Sequence, residues 1–351
     1  METRIQSSVN GNMFFPIVRQ SENLSVTPTL TPSVTPKVVT IPQKEVRNLP
    51  FIEANTKEVT LDHIKDDCII PVFSKDNEVT ISHQSFIDSV LSAAQSVFPR
   101  EDISDPVIRV SHVVKGRIPE AIHKPVSQLL ESDKTIYYER MMFCFEIPSI
   151  HQEIDGCRLN LTIGGVRAYN EQNLYSRKAP EKFRIFIGFK NVVCCNLCVS
   201  TDGYKASLRV MDPDSLLSSA SDLFRSYDMQ RHLTQMAAYR ECRMTESQFA
   251  QFLGKCRLYQ YLPLPERKKL PSLLMTDTQV GLVAKSYLDD PDFGKEGNNS
   301  ISLWKVFNLL TGANKSSYID NFLDRAENAS TLTSGLCMAL YGDPEYSWFL
   351  S

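Results

Sequence analysis

The sequence lacks the marks of a membrane or secreted protein. It has no run of about 18 apolar residues, so nothing is expected to span a bilayer. The opening "METRIQSSVNGNMFFPIVRQ" holds no apolar core of signal-peptide length. Neither charge sign is in excess, since 38 Lys and Arg stand against 41 Asp and Glu for a formal net charge of −3. That balance exerts no overall pull on nucleic acid or acidic lipid, and a nucleic-acid role would need a local basic surface. The nine cysteines are odd in number and irregular in spacing, in a chain too long to need disulfide staples. The expectation is a reduced, cytoplasmic protein with free thiols. The Asn-x-Ser/Thr matches at Asn23, Asn160, Asn298, Asn314 and Asn328 are then accidental. Enzyme motifs are missing too: no GK[ST] follows a glycine pair, and neither a second Cys-x-x-Cys, a spaced His pair nor a nucleophile elbow occurs. Nothing nominates an enzyme, and no cofactor or metal is expected.

What is present is a succession of distinct patterns. At 351 residues, 42% hydrophobic and 23% charged, the composition is globular. Residues 1–50 repeat Thr-Pro in "SVTPTLTPSVTPKVVTIP", which removes backbone donors and favours extended chain; they are expected to form a disordered leader. "CIIPVFSKDNEVTIS" has the form of two strands joined at Asp76 and Asn77. "SHQSFIDSVLSAAQSVF" places Phe86, Val90, Ala93 or Ala94, and Val97 at helical spacing, with Ser82 or Ser85 as cap. Residues 106–211 hold "VIRVSHVVKGR", "TIYYERMMFCFEI", "CRLNLTIGGVRAY", "KFRIFIGFKNVVCCNLCV" and "YKASLRVM". Each is rich in β-branched or aromatic residues, and their short connections predict an antiparallel meander rather than a βαβ fold. After Met211 the period becomes helical. Asp212 with Pro213 marks an N-terminus, and Thr245/Gln248 and Thr276/Gln279 have capping-box spacing. The fold class is therefore α+β: a disordered leader (1–50), a strand-rich core of antiparallel sheet with a short α/β entry (51–211), and a helical region packed on it (212–351).

The densest cluster of reactive residue types is "FKNVVCCNLCVSTDG". Read as extended from 183 to 199, it puts Cys195 on an apolar face and Cys194 with Cys198 on the other, about 13 Å apart. Such a pair cannot share one zinc at Zn–S distances of about 2.3 Å unless the backbone turns between them. A redox pair would have to open a helix, and a thiol nucleophile would have His232 as its nearest downstream base. Thiols packed in a crowded sheet fit the pattern best; the rival is a thiol- or metal-dependent enzyme using Cys194, Cys195 and Cys198.

"GGVRAYNEQNLYSRK" offers a different chemistry. Gly164 and Gly165 read as a strand break, after which Arg167, Tyr169, Tyr175, Arg177 and Lys178 interleave cations with aromatics. A single-stranded nucleic-acid surface uses this combination, stacking bases while pairing phosphates. Lys115 and Arg117, at the end of "SHVVKGRIP", would extend the same basic edge. Farther on, Arg225 to Lys269 carries nine basic residues to four acidic, and 289–351 reverses this with nine acidic to four basic. The two stretches are expected to face each other, hiding the basic one.

Several stretches together, "HVVKGRIPEA", "KTIYYERMMFCFEIPSI", "TIGGVRAYN", "FIGFKNVVCCNLCVSTDG" and "SLWKVFNLLTGANKSSYIDNFLDRA", resemble a bacterial family of unknown function carried on conjugative elements and prophages of gut anaerobes. The chain is also distantly similar to the phage/plasmid-like protein family, at Cys195-Asn196 and His232. The resemblance covers roughly residues 60–330 and implies a mobile-element setting, with no catalytic residue to carry over. The leading expectation is a non-enzymatic accessory factor that binds or anneals single-stranded DNA. The alternative is a protein-interaction or regulatory factor of a conjugative element or phage, with no nucleic-acid contact. Expected partners are single-stranded DNA, a protein recruited through the leader, and further copies of the chain, but no membrane.

Overall fold

The computed structural model describes residues 49–68, 81–121, 123–172 and 179–351. The Thr-Pro leader and the turn expected at Asp76 and Asn77 lie outside them. The described residues form one unit.

The β-branched and aromatic stretches pair where the sequence places them. Strands β1 (Lys57–Val59), β2 (Val107–Arg117), β3 (Lys134–Ile154), β4 (Cys157–Ala168), β5 (Glu181–Asn191) and β6 (Leu197–Cys198) lie side by side in that order, all antiparallel. A seventh strand, β7 (Tyr204–Val210), pairs with the other half of the β5 edge. Asp155 and Gly156 (φ 51° and 71°) make the two-residue turn that joins β3 to β4. This left-handed pair matches the twist of the strands it connects.

Both faces of the sheet are covered, which is why its central strands read as nearly continuous apolar runs. On one face Phe143, Phe145, Leu161, Ile163, Ile185 and Ile187 join the main hydrophobic cluster. They meet helix α2 (His83–Val97) through Phe86, Val90 and Ala93, and helix α3 (Pro213–Ser226) through Leu216, Ala220 and Leu223. On the opposite face Met142, Cys144, Val166 and Phe186 pack against Ile319, Phe322, Leu323 and Ala326 of a long helix described below. Alternate residues of one strand thus serve two cores, as the two-residue period requires.

The helical part follows its capping signals. A short helix α1 (Leu61–Asp66) precedes α2, whose N-cap is Ser82. Asp212 accepts from the Ser215 N–H (2.8 Å) ahead of Pro213 in α3, and α4 (Met229–Glu241) follows. Helices α5 (Glu246–Tyr259) and α7 (Asp277–Asp289) begin with the capping boxes that Thr245/Gln248 and Thr276/Gln279 predict, with the four-residue α6 (Leu264–Arg267) between them. A small ribbon of β8 (Arg243–Thr245) and β9 (Ser300–Ser302) leads into α8 (Leu303–Asn314), which runs just past Gly312. The long α9 (Ile319–Leu340) closes the order. The main hydrophobic cluster runs across the change from strands to helices at residue 211, from Ile185 to Trp304. Among the described residues no helix is long and apolar enough to cross a membrane.

Candidate functional site

Among the described residues the cationic surface expected from the sequence is not brought together. Lys115 is exposed near the end of β2, whereas Arg117 is half-buried and donates to the Lys124 carbonyl (2.6 Å). Tyr175, Arg177 and Lys178 lie outside the described residues. Arg167 and Tyr169 require a correction, for both are inside the protein, Arg167 at 0% and Tyr169 at 2% exposure. The cause is the glycine pair. Gly164 and Gly165 do not break β4 but sit in its middle, where the missing Cβ atoms let the Phe86 ring and neighbouring backbone close in. The strand therefore continues and carries Arg167 under α2. Its guanidinium pairs with Glu181 and donates to the Ile81 carbonyl, 4.4 Å and 4.7 Å from the ring centroids of Tyr169 and Phe183. Glu181 also accepts the Ile81 N–H (3.1 Å). The pair staples the entry to α2 onto the sheet.

His83 stacks beside this cluster, its ring 4.8 Å from that of Tyr169, with Nε2 2.8 Å from the Tyr138 carbonyl. Burial, reinforced by the Arg167 charge, lowers its pKa to about 3. Burial likewise lowers His232 to about 4, where Nδ1 meets the Tyr227 hydroxyl at 2.7 Å. Both rings are neutral in the fold, while in the unfolded chain a histidine charges near pH 6.5. The unfolded state thus binds protons that the native state refuses. Stability should be intact above about pH 6.5 and fall as pH drops from there toward 4. Urea unfolding of wild type and the His83→Gln and His232→Gln variants across that range checks this; each variant should show a shallower pH slope.

The cysteine stretch is a hairpin, not the continuous strand that its alternation suggests. β5 stops at Asn191 and β6 returns alongside it, pairing Leu197 with Lys190 and Cys198 with Phe189. Between them Cys195 takes φ 58°, its N–H donating to the Asn191 carbonyl (2.7 Å), and the Asn191 Oδ1 accepts from the Val193 N–H (3.0 Å). Asparagine side chains favour such local turns. Asn191 Nδ2 and Asn196 Nδ2 then donate to Asn308 Oδ1 and O (3.0 and 2.9 Å), docking the hairpin on α8. Burial pushes the thiols of Cys194 and Cys144 up to about 12, and that of Cys198 well above its ordinary value. Neutral thiols are poor nucleophiles and poor ligands. Among the described residues no group of three or more His, Cys, Asp or Glu is placed to hold a metal ion.

Two surface features remain. A cleft of about 620 Å³ is lined by Arg240, Arg243, Lys305, Asp155, Glu241 and Glu296 among others. Its cations are all near acids: Arg243 and Lys305 both reach Glu296, and Arg240 lies 4.0 and 3.9 Å from Asp155 and Glu241. The second feature is the corner where α5 passes through α6. From Lys255 to Lys269 the chain carries five cations and one acid, Glu266. Arg267 fixes the corner by donating to the Gln260 carbonyl (2.9 Å) and lying over the Tyr259 ring. Leu258, Tyr261 and Leu264 are left exposed, Tyr261 at 77%. Lys268 and Lys269 are exposed beside them, and Arg257 holds Asp277 in a two-pronged surface pair (2.7 and 2.9 Å). The acidic C-terminal stretch does not hide this basic segment. Arg243 reaches Glu296, but Arg257, Arg231 and Arg240 find Asp277, Asp202 and Asp155 instead. Counting charge located the segment; what the sequence does not reveal is which acids lie near it after folding.

These features define a mixed α+β protein with an antiparallel sheet between helices and a basic, tyrosine-bearing corner. The chain belongs to the family described as "Domain of unknown function, B. Theta Gene description (DUF3871)", which matches residues 33–350. No curated protein and no solved structure matches it.

Proposed function

We propose that the protein is a non-enzymatic accessory factor that binds single-stranded DNA through the α5–α6 corner. The observation that carries this reading is the exposure of Tyr261, 77%, in a segment with five cations to one acid. An exposed ring offers a stacking platform for any base, and the exposed Lys268 and Lys269 offer charge to the phosphates. The setting we propose is a mobile genetic element, on the strength of the sequence resemblance, and the compartment is the cytoplasm. A thiol- or metal-dependent enzyme is disfavoured by the burial of Cys194, Cys195 and Cys198. A second reading, a protein-interaction factor, draws support from Val126 and Leu130, exposed at 76% and 64% in the connection between β2 and β3.

The test is titration of a fluorescent oligothymidylate from low to high salt. If the two lysines release counterions, log affinity should fall against log salt with a slope of about −1.4. Lys268→Glu with Lys269→Glu should remove most of that slope. Tyr261→Ala should weaken binding by about 1–3 kcal/mol with the slope retained. Absent or salt-independent binding would refute the proposal and favour the protein-interaction reading.

A further inference from the structure

Cys242 ends α4 and Cys337 lies in α9, yet the structure joins them in a disulfide with Cα atoms 5.8 Å apart, across 95 residues of sequence. The odd number and irregular spacing of the cysteines predict thiols throughout. Cys68, Cys144, Cys194, Cys198 and Cys256 remain thiols in the same chain. A protein matured in an oxidising compartment seldom carries so many thiols beside one bond, and a lone bond in a reducing setting is characteristically a responsive one. The two cysteines are also held together without it. The Tyr239 hydroxyl, one helical turn before Cys242, bonds Ser334 Oγ (2.5 Å) and the Ser330 carbonyl (3.2 Å), one and two turns before Cys337, contacts between α4 and α9 that do not involve the bond. Cys242 and Cys337 are 4% and 5% exposed, so exchange proceeds through local opening.

We propose that Cys242–Cys337 is a redox-responsive latch whose state sets the stability of the helical region from β8 to α9. Closing consumes one low-molecular-weight disulfide. One cysteine thiolate attacks it and releases one small thiolate; the second cysteine then attacks the mixed disulfide and releases the other. The protein loses two electrons and two protons, and the small disulfide becomes two thiols. Opening by excess small thiol reverses both steps. The closed bond fixes a loop of 95 residues, which holds the α5–α6 corner and both strands of the small ribbon. This inference does not rest on the DNA-binding reading, and its readouts do not involve DNA.

The experiment uses the full chain equilibrated with glutathione disulfide or with dithiothreitol, then unfolded in guanidinium with iodoacetamide and mapped by mass spectrometry. After glutathione disulfide, Cys242 and Cys337 should be protected and linked to each other; after dithiothreitol both should be labelled. Reduction should shift the folding equilibrium toward the unfolded chain by a factor on the order of a thousand, read from denaturant midpoints. The Cys242→Ser, Cys337→Ser double variant should unfold like the reduced protein and ignore both reagents. Labelling of both cysteines after glutathione disulfide, or linkage of either to a different cysteine, overturns the proposal. So does an unchanged midpoint on reduction. Should the double variant not fold, the comparison of oxidised and reduced wild type decides alone.

Discussion

Replacing Glu181 with glutamine should lower the stability of the folded chain by about 3–5 kcal/mol, because it leaves the Arg167 guanidinium charged and unmatched in the interior. Arg167 is wholly buried, and a guanidinium cannot shed its proton to escape the penalty. The faces of Tyr169 and Phe183 supply part of the compensation, on the order of 2 kcal/mol for a desolvated cation over a ring, which does not replace a carboxylate. The site has no slack: among the described residues Arg167 Nε, the Tyr169 hydroxyl and His83 Nδ1 are already buried without partners. Urea unfolding of Glu181→Gln, Arg167→Met and the double variant measures the coupling. The double variant should recover part of the loss, since no charge is then stranded, but not all of it, because the Ile81 carbonyl loses its donor. A Glu181→Gln protein within about 0.5 kcal/mol of wild type would show that the pair is solvent-accessible and restore Arg167 as a surface cation.

What the sequence made legible was whatever depends on neighbours in sequence. Asp212-Pro213, Thr245/Gln248 and Thr276/Gln279 start helices because a cap is satisfied within three residues. The strands from Val107 to Val210 were legible for a similar reason: β-branched and aromatic residues with short connections leave few topologies besides a meander. Features set by distant partners were not legible. The turn at Cys195 is held by local bonds but docked by Asn308, more than a hundred residues later. Cys242 finds Cys337 across 95 residues. At the candidate site, residue type was readable and depth was not. Arg167 with Tyr169 looks like a stacking surface on paper, whereas the basic stretch that holds Arg257 and Tyr261 is expected to be hidden. The first pair is buried in the core, while the α5–α6 corner leaves Tyr261 in water.

The glycine pair at the centre of β4 carries a comparably large effect. Gly164→Ala should destabilise the protein by about 3 kcal/mol or more, beyond the usual range for one added methyl, because nothing around it can yield. The new Cβ would overlap the Phe143 carbonyl oxygen and stand 3.0 Å from the Cys144 Cα, both backbone atoms of β3, and 2.8 Å from the Phe186 ring. Gly164 pairs directly with Cys144 in the ladder, so relief requires parting β3 from β4 at the centre of the sheet. Between these strands and β5 both hydrophobic clusters are anchored, and a local separation would be felt on the two faces at once. The same substitution in helices α5 and α7 should have the opposite sign. Around Gly254 and Gly281 a Cβ would meet nothing within 4 Å, and alanine there restricts the unfolded chain and favours helix by about 0.4–1 kcal/mol. Denaturant midpoints of Gly164→Ala, Gly254→Ala and Gly281→Ala, measured side by side, separate the two cases. If Gly164→Ala were as stable as the helical variants, β4 would have to bend away from β3 at that point. The glycine pair would then be a strand break after all, with Arg167 and Tyr169 free to leave the core.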